Sequence, residues 1–274
     1  HNGGRWHTDE GDNGNGWCNA TMLIYLQDWH EKWLGGTMFK DGDEVHTIPY
    51  IRNRMVVFPA NIPHKAEHHL NKDVIGVSRI EKDKHKFDGK CIVIELTNEE
   101  QIKEELAKIE KPDILINCAG LGIDEKEITE TTSEEWDLMM DCNLKSMYIL
   151  TRELAPHMKE NKYGVIINMS SIFHKGEYGQ CLYSTCKSAV LGFTNSLAKE
   201  LGQYNIRVHA VAPGYTRTAM TQRWIDKGVE PDIIEMTPLR KAGMPDDIAN
   251  LVNFLCSDES DFMTGHTTYI DGGL

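Results

Sequence analysis

From residue 73 to residue 270, short apolar segments alternate with longer amphipathic ones, and this alternation restricts the possible folds more than any other feature of the chain. Asp73–Ser78, Cys91–Glu95, Asp113–Asn117, Gly164–Met169, Ile206–Val211 and Thr267–Ile270 are dominated by apolar residues and bounded by Gly, Pro or polar clusters. That pattern predicts strands. Between them, Thr97-Asn98-Glu99-Glu100 reads as a capping box that opens a helix through about Ile109. Thr132-Ser133-Glu134-Glu135 reads as a second, opening a long helix that reaches Pro156. Tyr183–Leu201 and Asp246–Leu255 are further predicted helices. Strands that are apolar on both faces belong in a parallel sheet covered by helices on both sides. The expected fold class is therefore α/β, a doubly wound parallel sheet, with ligands bound beyond the carboxyl ends of its strands.

The chain of 274 residues carries 29 Lys and Arg against 42 Asp and Glu, a net charge of −13. Such acidity repels phosphate backbones, so nucleic acid is not an expected partner. No apolar run reaches the ~18 residues of a membrane span, and no basic stretch followed by an apolar one marks a secretory signal. The seven cysteines, at 18, 91, 118, 142, 181, 186 and 256, are odd in number and form no Cys-x-x-Cys pair. A reducing, cytoplasmic setting is expected rather than a disulfide framework.

Several polar residues fall at the predicted carboxyl ends or in the helices behind them. Ser170 and Ser171 follow the strand 164–169, Tyr183 and Lys187 stand four apart on one helix face, and Asn143 lies in the helix after Gly120. A tyrosine is a poor base at its free pKa near ~10, and a neighbouring ammonium favours the phenolate. A serine hydroxyl can hydrogen-bond a carbonyl or alcohol oxygen. These groups suit proton transfer between an alcohol and a ketone, although Tyr-x-x-x-Lys alone more often reads as a surface helix pair.

The order and spacing of several motifs decide between those two. They are Asp113-Ile-Leu-Ile-Asn-Cys-Ala-Gly120, Cys142-Asn143-Leu144-Lys145, Ile167-Asn-Met-Ser-Ser171, Tyr183-Ser-Thr-Cys-Lys187 and Arg207-Val-His-Ala-Val-Ala-Pro-Gly-Tyr-Thr-Arg-Thr218. Through these and the tail from Pro238 to Gly273, residues 71–274 closely resemble the short-chain dehydrogenase/reductase family. The resemblance implies a Rossmann-like sheet and an NAD(P)-dependent oxidoreductase acting on a small molecule. It implies Tyr183 as general acid/base, Lys187 as ribose ligand and phenolate partner, Ser171 as donor to the substrate oxygen, and Asn143 in the proton relay. Ser171 lies twelve before Tyr183, one fewer than the family's commonest spacing, so Ser170 stays open. The implied cofactor contacts are Ser78, Arg79, Glu95, Leu96, Asn117, Ala119, Gly120, Tyr183, Lys187, Pro213, Gly214, Thr216 and Thr218. Phe173, His174, Lys175 and Tyr178 are candidates to face a polar or anionic substrate. An acidic residue at the end of the strand 73–78 would accept a ribose hydroxyl, whereas Arg79 suits a 2′-phosphate, so NADP is expected over NAD. The family's association across two-folds implies a homo-oligomer, a dimer or tetramer, through the helices 133–158 and 183–201.

One family feature is missing. No glycine occurs between Gly42 and Gly76, where the phosphate-binding turn belongs. The closest substitute is a strand Arg54–Phe58, a loop 59–63 and a helix through Leu70. Residues 1–70 also differ in composition, with seven of the 12 His and four of the 6 Trp. His7-x-Asp9 and His64 have the residue types of a facial triad for Fe(II), and alternate residues of one strand point to one side. Asn19–Leu26, Trp33–Phe39 and Val56–His64 resemble the C-terminal half of the 2-oxoglutarate/Fe(II) dioxygenases, a partial β jelly roll (double-stranded β-helix). That resemblance implies His7, Asp9 and His64 as metal ligands, and Lys72 or Arg79 as partner of the 2-oxoglutarate carboxylate. The expected organisation is thus 1–70, dioxygenase-like, and 71–274, dehydrogenase-like. Three function classes follow: an NADP-dependent oxidoreductase, an Fe(II)/2-oxoglutarate dioxygenase as part of a bifunctional fusion, or a non-catalytic remnant.

Overall fold

Strands buried on both faces organise the α/β part of the chain, as their composition requires. The computed structural model describes residues 20–24, 36–41, 44–49, 55–59, 64–66, 75–78 and 90–274, without 123, 124 and 219; before residue 94 it describes only the side chains of Val77 and Ile92. In chain order the strands β1 (Ala20–Ile24), β2 (Gly36–Asp41), β3 (Glu44–Pro49), β4 (Met55–Pro59) and β5 (His64–Ala66) come first. There follow β6 (Ile75–Ser78), β7 (Lys90–Val93), α1 (Glu99–Leu106), β8 (Ile114–Asn117), α2 (Ser133–Met140), a π turn (Asp141–Lys145) and α3 (Ser146–Asn161). The remainder is β9 (Gly164–Met169), α4 (Cys181–Leu201), β10 (Ile206–Pro213), α5 (Gln222–Asp226), α6 (Glu230–Met236), α7 (Pro245–Cys256) and β11 (Thr267–Ile270).

β8, β9, β10 and β11 form one parallel sheet in the order β11-β10-β9-β8. Alternate residues feed opposite cores. Leu115, Ile166 and Val208 pack with Ile149, Leu154 and Leu201 of α3 and α4. Ile116, Ile167 and Val211 pack with Ile248, Val252 and Leu255 of α7. Helices thus cover both faces. A second sheet runs β4-β1-β6-β7, with β6 and β7 parallel and β1 antiparallel to both β6 and β4. β4 lies beside β8. A third sheet, β3-β2-β5, is antiparallel.

Four local expectations need correction. Asn98, not Thr97, caps α1 and accepts from Gln101 N, and the helix stops at Leu106. The long helix to Pro156 is two helices joined by the π turn, and α3 runs on to Asn161 with Pro156 inside it. Proline removes one backbone donor, but buried Ala155 and Met158 on either side hold the helix together. The helix expected after Pro63 begins instead as β5, whose His64 pairs with Phe39 of β2; an available ladder outweighs local helix preference. The short helices α5 and α6 had no sequence counterpart.

Two buried polar groups lie on β10, and one of them ties it to α7. Arg207 of β10 reaches the end of α7, donating to Leu255 O at 2.7 Å, Ser257 O at 2.9 Å and Ser260 Oγ at 2.6 Å. A buried guanidinium on terminal carbonyls satisfies both partners and opposes the helix dipole. His209, two residues on, is fully buried, and neither ring nitrogen has a hydrogen-bond partner among the described residues. Burial lowers its imidazole from 6.5 to about 4, with the Arg207 charge adding to the effect. The folded protein therefore keeps His209 neutral while the unfolded chain takes up a proton below 6.5. Where the unfolded state binds more protons, stability falls as pH falls, here between 6.5 and about 4. Between about pH 7 and 4.5, His209→Asn should lose roughly 2 kcal/mol less stability than the wild type. Urea midpoints at the two pH values test this, and equal acid losses in both proteins would contradict it.

Candidate active site

β8, β9 and β10 end together because they are parallel and in register, and a cavity of about 870 Å³ opens beyond their carboxyl ends. Its polar lining includes Ser170, Ser171, Tyr183, Lys187, Thr216 and Thr218. Much of the remaining wall is apolar or aromatic, with Phe173, Tyr215, Met220, Trp224, Ile233 and Met236 among its residues.

α4 places Tyr183 and Lys187 on one face. The Lys187 ammonium is buried, donates to Met169 O at 3.0 Å, and stands 5.5 Å from the centre of the Tyr183 ring. Asn143 comes from the π turn, an irregularity often found at functional sites. Its amide is fully buried: Nδ2 donates to Met139 O and Leu121 O at 3.0 Å, and Oδ1 accepts from Leu121 N at 3.1 Å. Asn143 thereby pins the loop that follows β8. Gly120 lies in that loop between the two side chains. A Cβ there would stand 3.2 Å from Asn143 Oδ1 and 3.4 Å from Lys187 Nζ.

The two serines part company. Ser170 is buried and its hydroxyl donates to Lys187 O at 2.8 Å. Ser171 Oγ accepts from Phe173 N at 3.2 Å, which leaves its own proton to donate. The Phe173 ring meets Tyr183 edge on at 6.4 Å. Across the cavity, burial and the Glu230 carboxylate push the Tyr215 phenol well above its ordinary range. The Arg217 guanidinium, with Tyr215 also donating, holds Glu230 below the ordinary carboxylate range.

Of the sequence-predicted set, the structure brings Ser171, Tyr183, Lys187, Gly120, Pro213, Gly214, Thr216 and Thr218 to the cavity, with Asn143 directly behind Gly120. Asn117 is not a lining residue: it is buried and donates to Asn168 Oδ1 at 2.9 Å, and Asn168 in turn donates to Thr194 Oγ1 at 3.0 Å. Leu96 and Ala119 belong to the core, and Glu95 accepts from the Thr97 hydroxyl. Phe173, Lys175 and Tyr178 line the cavity, whereas His174 bonds Tyr269 Oη at 2.7 Å. Ser78 ends β6; Arg79 and Lys72, like His7 and Asp9, lie outside the described residues. His64 begins β5. No group of three or more metal-ligating side chains occurs among the described residues. Sequence reasoning missed Tyr215, Met220, Trp224 and Ile233, since apolar residues in loops and helices of five to seven residues carry no periodic signal.

The described residues fit the nicotinamide-ribose half of a dinucleotide. Gly120 has no side chain to separate the backbone from Lys187, and Gly214, Thr216 and Thr218 line the same cavity. Of the stretch between Gly42 and Gly76, in which a phosphate-binding turn is expected, only the backbone of residues 44–49, 55–59, 64–66 and 75 is described. Because its new methyl must push Asn143 or Lys187 aside, Gly120→Ala should lower kcat at least about tenfold while the thermal midpoint moves by only a few degrees. Steady-state kinetics beside a melting curve checks this; unchanged kcat would show that the neighbours yield freely.

Residues 69–274 match the family described as Enoyl-(Acyl carrier protein) reductase. Residues 1–80 match the 2OG-Fe(II) oxygenase superfamily. The chain is 39% identical over 183 residues to a 3-oxoacyl-[acyl-carrier-protein] reductase of Rickettsia felis, covering 66% of this chain and 75% of that protein. It is 38% identical over 175 residues to an acetoacetyl-CoA reductase of Allochromatium vinosum, covering 64% of this chain and 69% of the relative. Among solved structures, ElxO with NADP bound superposes with a TM-score of 0.66 at 31% identity, over 72% of this chain and 86% of that one. A 3-oxoacyl-[acyl-carrier protein] reductase with bound NAD from Brucella melitensis gives 0.62 at 31%, over 68% and 72%. With its parallel sheet and carboxyl-end cavity, the chain belongs to the short-chain dehydrogenase/reductase family, NAD(P)-dependent oxidoreductases that interconvert alcohols and carbonyls by hydride transfer.

Proposed function

We propose that this protein reduces the carbonyl of a small, largely apolar molecule, with Tyr183 as the proton donor. The single observation that carries this is the buried Lys187 ammonium beside the Tyr183 ring, at the carboxyl ends of a parallel sheet. The nicotinamide cofactor supplies a hydride to the carbonyl carbon when bound. Ser171, its oxygen already accepting from Phe173 N, turns its own proton toward the substrate oxygen. Tyr183 then gives its phenolic proton to that oxygen as negative charge grows there. Lys187 stabilises the phenolate that is left and offers its ammonium to the cofactor ribose. Asn143 keeps the loop around Gly120 in place and stands behind it in the proton path. Pro213, Gly214, Thr216 and Thr218 hold the carboxamide end. NADP is the preferred cofactor in this reading, through Arg79. The reductases among the relatives support the reducing direction, and the apolar wall supports an apolar body for the ligand, with Lys175 and Tyr178 at the same cavity for a polar or anionic end.

Tyr183→Phe should lower carbonyl reduction roughly 10²–10⁴-fold and leave NADPH binding within about twofold, measured by cofactor fluorescence. Near-wild-type turnover would remove Tyr183 from the mechanism. Association through α3 and α4, where Leu191, Phe193 and Leu197 are only partly buried, is proposed on the same footing. Sedimentation should give a dimer or tetramer, and a monomer at micromolar concentration would refute this.

The match over residues 1–80 favours a second reading for that segment, with His7, Asp9 and His64 as ligands of Fe(II) and 2-oxoglutarate as co-substrate. Anaerobic titration should then find one Fe(II) bound per chain, lost in His64→Ala. Absence of binding would leave the segment without metal chemistry.

A further inference from the structure

The segment from Gly214 to Met236 crosses the cavity as a strap, and one carboxylate ties its two ends together. Glu230 is the first residue of α6, and its side chain is only 13% exposed. Tyr215, two residues past the end of β10, donates from Oη to Glu230 Oε1 at 2.8 Å. Arg217 donates from Nε to the same oxygen at 2.7 Å and from Nη2 to Oε2 at 3.2 Å. Charge-assisted, two-pronged bonds of this kind are the strong ones. Neither Arg217 nor Glu230 lines the cavity, but the helix they enclose does. On that helix, α5, Trp224 packs against Tyr215 at 5.6 Å and against Phe173 at 6.2 Å. Phe173 in turn meets Tyr183. A continuous line of contacts therefore runs from Glu230 through Tyr215, Trp224 and Phe173 to the phenol. Within the strap, Thr221 knots its own turn, accepting from Thr218 N and donating to Thr216 O.

We propose that Glu230 is a positioning residue, a latch that holds α5 over the cavity so that Trp224 and Phe173 form the wall against which the carbonyl substrate lies. The inference rests on the Tyr183 reading above. The latch bears on Trp224 and Phe173, whereas Thr216 and Thr218, the cofactor contacts proposed above, alternate with Tyr215 and Arg217 in the same strap but are held besides by the Thr221 hydroxyl. Its loss therefore shows more in substrate affinity than in cofactor affinity.

The test uses NADPH oxidation with a panel of 3-oxo esters, diketones and aldehydes, ethyl acetoacetate being the first probe. Glu230→Gln keeps the shape and removes the charge. It should raise KM roughly tenfold and leave both kcat and the NADPH dissociation constant within about threefold. Arg217→Glu alone should show the same defect, and the charge-swapped pair Arg217→Glu with Glu230→Arg should recover most of the KM. Tyr215→Phe, which removes one of the three bonds, should raise KM by about threefold and serves if Glu230→Gln does not fold. An unchanged KM in these variants, with Tyr183→Phe inactive, overturns the latch and leaves the Tyr183 reading standing. Parallel losses of kcat and NADPH affinity without recovery in the swapped pair also overturn it. If the wild type oxidises NADPH with none of the panel, the Tyr183 reading fails and the latch with it.

Discussion

Lys187 holds its ammonium inside the protein, and much of the site is arranged around that burial. An ionised group taken out of water is tolerated only where dipoles replace its hydration. Here the replacement comes from the carbonyl of Met169, the last residue of β9, which a parallel strand leaves free of ladder partners at its end. Ser170 bonds the carbonyl of the same lysine and fixes the helix backbone against the strand. Gly120 admits the ammonium from the opposite side. Tyr183 is placed because Lys187 is placed, one helical turn away. The polar ladder Asn117–Asn168–Thr194 lies one layer deeper and ties β8 and β9 to α4, so the strand ends cannot slide apart.

How much of this could be read from the chain depended on what each residue answers to. β9 and β11 match their expected limits residue for residue, since a strand bounded by glycine or a turn has nowhere else to stop. The cap at Thr132 and Glu135 was legible because both halves of its reciprocal bond are local. At Thr97 the same motif misled: Asn98 is the better cap and takes the helix start one residue on. Asn117 was read as a ligand because a polar side chain at a strand end can face the cleft or the core, and only the partner Asn168 decides. Trp224 and Glu230 escaped notice for a different reason. Their contacts join residues across a loop, in segments too short for any period to develop.

The amino-terminal strands meet the α/β part at its sheet. Two strands, β1 and β4, fill the space between β6 and β8, and β1 runs against its neighbours. An antiparallel strand presents its amino end where the others present carboxyl ends, so the row of free carbonyls that favours ligand binding is interrupted at β1. β4 runs in the direction of β6 again and lies beside β8. The proposed catalytic groups stand in the π turn, just past β9 and in α4, beside the sheet β8–β11 and not at that interruption.

The π turn that carries Asn143 is a phase shift in a rod. Each residue of an α-helix advances about 100° around the axis, so one extra residue in a ring rotates everything downstream by that angle. α2 and α3 therefore select their buried stripes independently, Met139 on one and Met147, Leu150 and Leu154 on the other. A chain lacking one residue between 141 and 145 could form a smoother helix with every backbone bond in ordinary register. It would also turn the stripe of α3 away from the sheet, or swing Asn143 out of the loop it holds. The irregular helix is thus the arrangement in which core packing and the site are satisfied together, and regularity at this position would be a defect.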